Sequence, residues 1–168
     1  IGMVWSANTF SLPVIPASGN PENIYDFQGD RNNLYTIYYY CLIKRILLYS
    51  EFSANDNKNY AYVQGLSSRP SDRLTLNFLF RNYKSGYTSF HGRGPGSCSI
   101  NSIEQGVLGN FTFEAAKHLF ICGGCDLQNF EWLRYRCSSP SRGIKKEIKI
   151  RFLPTEKLTV EASYNYRL

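Results

Sequence analysis

A chain of 168 residues with a formal charge of +6, 43% hydrophobic and 15% aromatic, is long enough for one domain with a sizeable core. No apolar stretch approaches the roughly 20 residues of a spanning helix, which excludes a helical membrane protein but not one that crosses with strands. The basic residues are spread through predicted hairpins and loops. The densest group, Lys145-Lys146 with Lys149 and Arg151, interleaves with Ile148, Ile150 and Phe152 and reads as the wet face of one strand rather than a phosphate-binding stripe.

In chain order, Ile1-Gly2-Met3-Val4-Trp5 has no basic region, apolar run or small-residue cleavage site, so it reads as a start part-way along a longer chain. Residues 1–30 are expected to be a lead-in strand or loop, rich in Pro, Gly and Asn between Pro13 and Pro21. From 31 to 168 the pattern is a string of hairpins. Residues 33–43 and 46–54 are joined tightly at Lys44-Arg45, and 59–67 and 73–83 at Arg69-Pro70-Ser71-Asp72. Residues 105–113 and 119–126 follow around Glu114-Ala115-Ala116-Lys117. The helix-like run 113–118 is too short to stand alone. The last pair, 143–153 and 157–168, meets at Pro154-Thr155-Glu156. This predicts about eight strands, with long links at 83–104 and 127–142 and a short polar one at 55–58.

Alternation carries the fold class. Leu158, Val160, Ala162, Tyr164, Tyr166 and Leu168 share one face, and Thr159, Glu161, Ser163, Asn165 and Arg167 the other. The run from Leu74 repeats this, with Leu79 as its one exception. An apolar, aromatic face backed by a charged face suits either a soluble sandwich or lipocalin-like barrel that binds a small ligand, or a barrel in a bilayer. Strands of spanning length, with tight turns at one end and long loops at the other, point to an all-β, antiparallel, up-and-down transmembrane β-barrel, or part of one. Its lumen-facing set is then Thr75, Asn77, Arg81, Lys149, Arg151, Glu161, Asn165 and Arg167.

Chemistry-bearing motifs are few. Cys122-Gly123-Gly124-Cys125 has redox or metal spacing, but in a strand residues three apart point to opposite faces. Cys98 and Cys137 both fall in long loops, where an oxidising setting would allow them to pair. His91 and His118 lack ligand partners at metal spacing, Gly92-Arg93-Gly94-Pro95-Gly96 lacks the Lys-Ser/Thr pair of a phosphate loop, and the carboxylates are scattered. No catalytic residue, metal or cofactor is expected. Phe130, Trp132, Arg134, Tyr135 and Arg136 form an aromatic–Arg cluster in a predicted loop, suited to plugging the barrel mouth or meeting a partner.

An ordered set of marks carries a resemblance: Arg81-Asn82-Tyr83, Tyr87-Thr88-Ser89-Phe90-His91-Gly92, Asn101 with Glu104-Gln105-Gly106, Phe130-Glu131-Trp132-Leu133-Arg134-Tyr135 and Ser138-Ser139-Pro140-Ser141-Arg142-Gly143. Together they resemble the C-terminal barrel region of Bacteroidota proteins described as helix-hairpin-helix domain-containing. The resemblance implies an outer-membrane β-barrel, preceded in the full protein by DNA-binding repeats. This chain contains no such repeat, so any DNA contact would be made through a region outside it. A part in nucleic-acid binding or uptake is an alternative that the family context implies, and the expected partners are the lipid bilayer and other envelope proteins. Glu131 departs from the family's usual proline, and five cysteines are more than the family pattern suggests.

Overall fold

β-Branched and aromatic residues in period-two order dictate extended chain, and turn residues fold each strand back beside its predecessor. The structure is a computed structural model that describes residues 1–16, 20–96, 103–134, 137–155 and 158–168. It is one antiparallel sheet of nine strands in chain order: β1 (Gly2–Val14), β2 (Gly29–Ile43), β3 (Ile46–Asn55), β4 (Tyr60–Ser71), β5 (Leu74–Tyr83), β6 (Glu104–Ala116), β7 (Leu119–Phe130), β8 (Ser141–Thr155) and β9 (Leu158–Arg167). The extra strand relative to expectation is β1, which pairs with β2 from Gly2↔Tyr38 to Thr9↔Arg31. A single 3-10 turn, Pro21–Asn23, lies in the connection that follows it. The sequence pattern predicts a barrel or part of one; among the described residues β1 and β9 do not pair with each other, so the sheet is open and not closed into a barrel.

Three predicted breaks are continuous strand. Pro13, Pro70 and Pro154 sit inside β1, β4 and β8, and the pairing register shifts across each, between Thr9 and Val14, Ser68 and Ser71, and Phe152 and Thr155. A residue without an N–H cannot complete the ladder, so the chain bulges and goes on. The second hairpin therefore turns at Asp72-Arg73, not within 69–72. The helix-like 113–118 supplies the end of β6 and the turn residues Lys117 and His118. Lys44 and His118 take left-handed φ values of 55° and 66°, as two-residue hairpin turns demand.

Tight turns occupy one end of the sheet. The longer connections, 15–28, 56–59, 84–103 and 131–140, occupy the other. The Trp132 indole N–H donates to the Pro21 carbonyl at 2.9 Å, and its ring meets Tyr25 edge-on at 5.2 Å. Connections from opposite sides of the sheet thus touch, so the sheet is curled at that end. Residues 84–96, in the third of the longer connections, fold onto one face, called inner below. There Tyr87 packs with Leu34, Ala61 and Tyr83 in a small buried cluster.

Candidate functional site

Register assigns every side chain to a face, because directly opposed residues point the same way. One inner row crosses the sheet from Tyr38 through Glu51, Val63, Arg81 and Gly106 to Gln128 and Gly143. All eight expected lumen residues lie on this face: Thr75, Asn77 and Arg81 on β5, Lys149 and Arg151 on β8, and Glu161, Asn165 and Arg167 on β9. Leu79, the exception in the alternation, also lies inside, opposite Gly65 and Leu108.

The β5 and β8–β9 groups form separate networks. At the rim end of β5, the Arg81 Nε donates to Glu104 Oε1 at 2.7 Å, and Nη2 donates to both Asp126 oxygens at 2.9 and 3.1 Å. Gln128 donates to Asp126 at 2.6 Å, and Lys145 stands opposite Asp126 on β8. The Arg81 and Glu104 side chains are each only 1% exposed, so this is an ion network shut off from solvent. Arg81 reaches from β5 to β7 only because Gly106 of β6 lies beneath it. A Cβ there would sit 2.6 Å from the guanidinium carbon. Below this the polar ladder continues from Ser67 to Asn77 at 2.7 Å and from Asn77 to Asn110 at 2.8 Å. On β8 and β9, Lys149 and Arg151 hold Glu161 at 3.2 and 3.0 Å in the open, where water screens each pair.

Among the described residues, what covers this face is the 84–96 part of connection 84–103, not the cluster around Trp132. Asn32 and Asn55 donate side-chain N–H groups to the Thr88 and Gly86 carbonyls at 3.1 and 3.0 Å, and the Tyr83 hydroxyl donates to the Pro95 carbonyl at 2.8 Å. Phe90 packs on Phe10 and Phe27 at 5.0 and 5.3 Å, and His91 hydrogen-bonds Asn8. Desolvation pushes the buried Tyr87 phenol above its ordinary range. Between this connection and strands β2–β6 lies a cavity of about 810 Å³ lined by Tyr38, Tyr40, Tyr49, Glu51, Asn77 and Asn110, among others.

The aromatic–Arg cluster is divided. Phe130 is not a loop residue but the last residue of β7, paired with Glu104 and 1% exposed. Arg134 lies over its ring at 3.5 Å and donates to Ser141 at 3.0 Å. Trp132 makes the contact with Pro21 already described, while Tyr135 and Arg136 fall outside the described residues. So does Cys98. Cys137 forms an isolated backbone bridge with Arg134. Cys122 faces inward opposite Lys149, and Cys125 faces outward opposite Lys146. Among the described residues no three His, Cys, Asp or Glu side chains are grouped to hold a metal.

The outer face is the reverse of the inner one. Trp5, Ile37, Phe52, Phe78, Phe111, Ile148, Phe152 and Tyr164 project from it with large exposed areas. Phe78 and Phe111 lie over Gly109 and Gly123 of the neighbouring strands, forming an apolar shelf. No family model, no curated protein and no solved structure matches this chain.

Proposed function

We propose that this chain forms wall of a Gram-negative outer-membrane β-barrel, a non-enzymatic channel or envelope scaffold with its inner face to the lumen and its outer face to lipid. One observation carries the reading, the inverted polarity of the sheet. Arg81, Glu104 and Gln128 are buried at 1%, 2% and 6% exposure, while Trp5, Phe78 and Tyr164 stand 68%, 52% and 67% exposed on the opposite face. In water each such exposed ring forgoes about 1.5–3 kcal/mol of burial. In hydrocarbon that cost vanishes, and a continuous apolar wall becomes favourable.

Strand length supports the same reading, since every strand has at least the ten residues of β3, β5 and β9, within or beyond the about 9–11 that a tilted strand needs to cross. So does the placing of tight turns and long connections at opposite ends, and so do the ordered motifs shared with the Bacteroidota barrel family. Residues 84–96, anchored on the inner face, act as a constriction in the lumen. In that family setting, DNA binding belongs to repeats that this chain lacks.

The test is electrophoretic. Folded in detergent, the chain should migrate differently before and after boiling, and should precipitate when detergent is removed. A monodisperse monomer in buffer alone would overturn the membrane reading and favour a soluble ligand-binding sheet.

A further inference from the structure

Three tyrosines break the polarity rule of the inner face. Tyr38, Tyr40 and Tyr49 point inward by register, Tyr40 directly opposite Tyr49 and Tyr38 directly opposite Glu51. A lumen wall is expected to be polar, and barrel tyrosines are expected at the lipid interface instead. Two of these rings are laid along the wall. A Cβ on Gly65 would fall 1.9 Å from the Tyr49 ring carbon Cζ, and one on Gly2 would fall 2.4 Å from that of Tyr38. Each of these rings lies close against the neighbouring strand's backbone instead of standing away from the wall.

Among these rings stands Glu51, which lines the same cavity and has no cationic partner among the described residues. Glu104, Asp126, Glu147 and Glu161, elsewhere on the inner face, each have one, whereas Glu51 is the carboxylate that lines this cavity. Ring faces carry negative potential and attract cations, most strongly where water is reduced and a carboxylate adds its full charge. The cavity, about 810 Å³, has room for a small solute beside the wall. The lid residue Arg93 lines it too and opposes a cation there.

From this arrangement we infer that the inner cavity binds a small organic cation, a substituted ammonium, with Glu51 as counter-ion and Tyr38, Tyr40 and Tyr49 as its aromatic wall. The site deepens the channel reading by naming the class of solute the lumen selects. It stands on the cavity itself, so it can fail or hold separately from the membrane assignment.

The probe is choline, titrated by calorimetry into the full chain in a maltoside detergent, with 3,3-dimethylbutan-1-ol as the neutral isostere. Choline should bind about tenfold more tightly than the isostere, the size of cation–π contacts at partly exposed rings together with a nearby opposite charge. Glu51→Gln should erase that preference. Tyr40→Leu, at a largely exposed position, should weaken choline about threefold, and Arg93→Gln should tighten it. Equal binding of choline and its isostere, or an unchanged preference in Glu51→Gln, would overturn the site. Acetate binding that disappears in Arg93→Gln would overturn it in favour of an anion site. Boiling-dependent migration of each sample reports folding, so lost binding in a variant that still shows it reports on the cation site and not on a failure to fold. Equal binding of the two probes by an unsubstituted chain that still shows it counts against the cation site and not against the barrel.

Discussion

Gly106→Ala is the smallest change that reaches the buried ion network. An added methyl would lie 2.6 Å from Arg81 Cζ, 2.7 Å from Nη2 and 3.0 Å from Nε, while Glu104 and Asp126 hold the guanidinium from either side. Overpacking of this kind costs about 1–3 kcal/mol, and full loss of one partner from a buried pair sets an upper limit of about 3–5 kcal/mol. Against this, replacing a strand glycine ordinarily gains about 0.5–1 kcal/mol of backbone entropy. Gly124→Ala provides the matched control on the next strand of the same face, because its nearest contact would be Asn110 Cβ at an ordinary 3.4 Å. Guanidinium chloride titrations of the micelle-folded chain, followed by Trp5 and Trp132 fluorescence, should show Gly106→Ala destabilised by about 1–3 kcal/mol and Gly124→Ala unchanged or stabilised. In an Arg81→Met background, Gly106→Ala should become harmless, since the two positions act through one contact. Coincident unfolding midpoints for the two glycine variants would refute the claim that Gly106 exists to let Arg81 cross β6.

Charges placed on the two faces should behave oppositely. Phe78→Arg, on the outer wall, should cost about 2–4 kcal/mol of stability in a bilayer, whereas Thr75→Arg, inside, should cost well under half of that in the same urea titration. Lys58 holds a left-handed φ of 62° in the 56–59 connection, so Lys58→Gly should stabilise by about 0.5–1 kcal/mol in thermal unfolding. Trp132→Phe keeps the ring against Tyr25 but removes the donor to Pro21. Protease cleavage within 15–28 should then accelerate about fivefold, the share of one neutral hydrogen bond, with the rest of the sheet protected.

Alternation was enough to read most of the sheet from sequence, because period two is a local property of each strand. The run Leu158 to Leu168 and the Lys44-Arg45 turn fall where their residues put them. The prolines at 13, 70 and 154 misled for a physical reason. As local signals they end strands, but an edge or a bulge can absorb the missing donor, and only the neighbouring strand determines whether it does. Glu104 and Asp126 looked scattered because they are 22 positions apart and meet only through β6–β7 register and the gap above Gly106. Arg81 facing a glycine two residues beyond Glu104 was the available signal, readable once β5 and β6 are aligned. The covering element was also misplaced. Phe130 packs as strand because its ring is buried on the inward side, opposite Glu104, while the 84–96 segment, without alternation to mark it, lies across the inner face.

The meander has a consequence for how such a wall becomes a ring. With nine strands alternating up and down, β1 and β9 run in the same direction. Sewing them directly together would create one parallel seam in an otherwise antiparallel cylinder, and a second copy standing upright in the same membrane would meet this one with two such seams. A cylinder that is antiparallel throughout requires an odd number of strands between β9 and β1. The direction of the two edge strands, and not merely the width of the gap, therefore sets what can fill it.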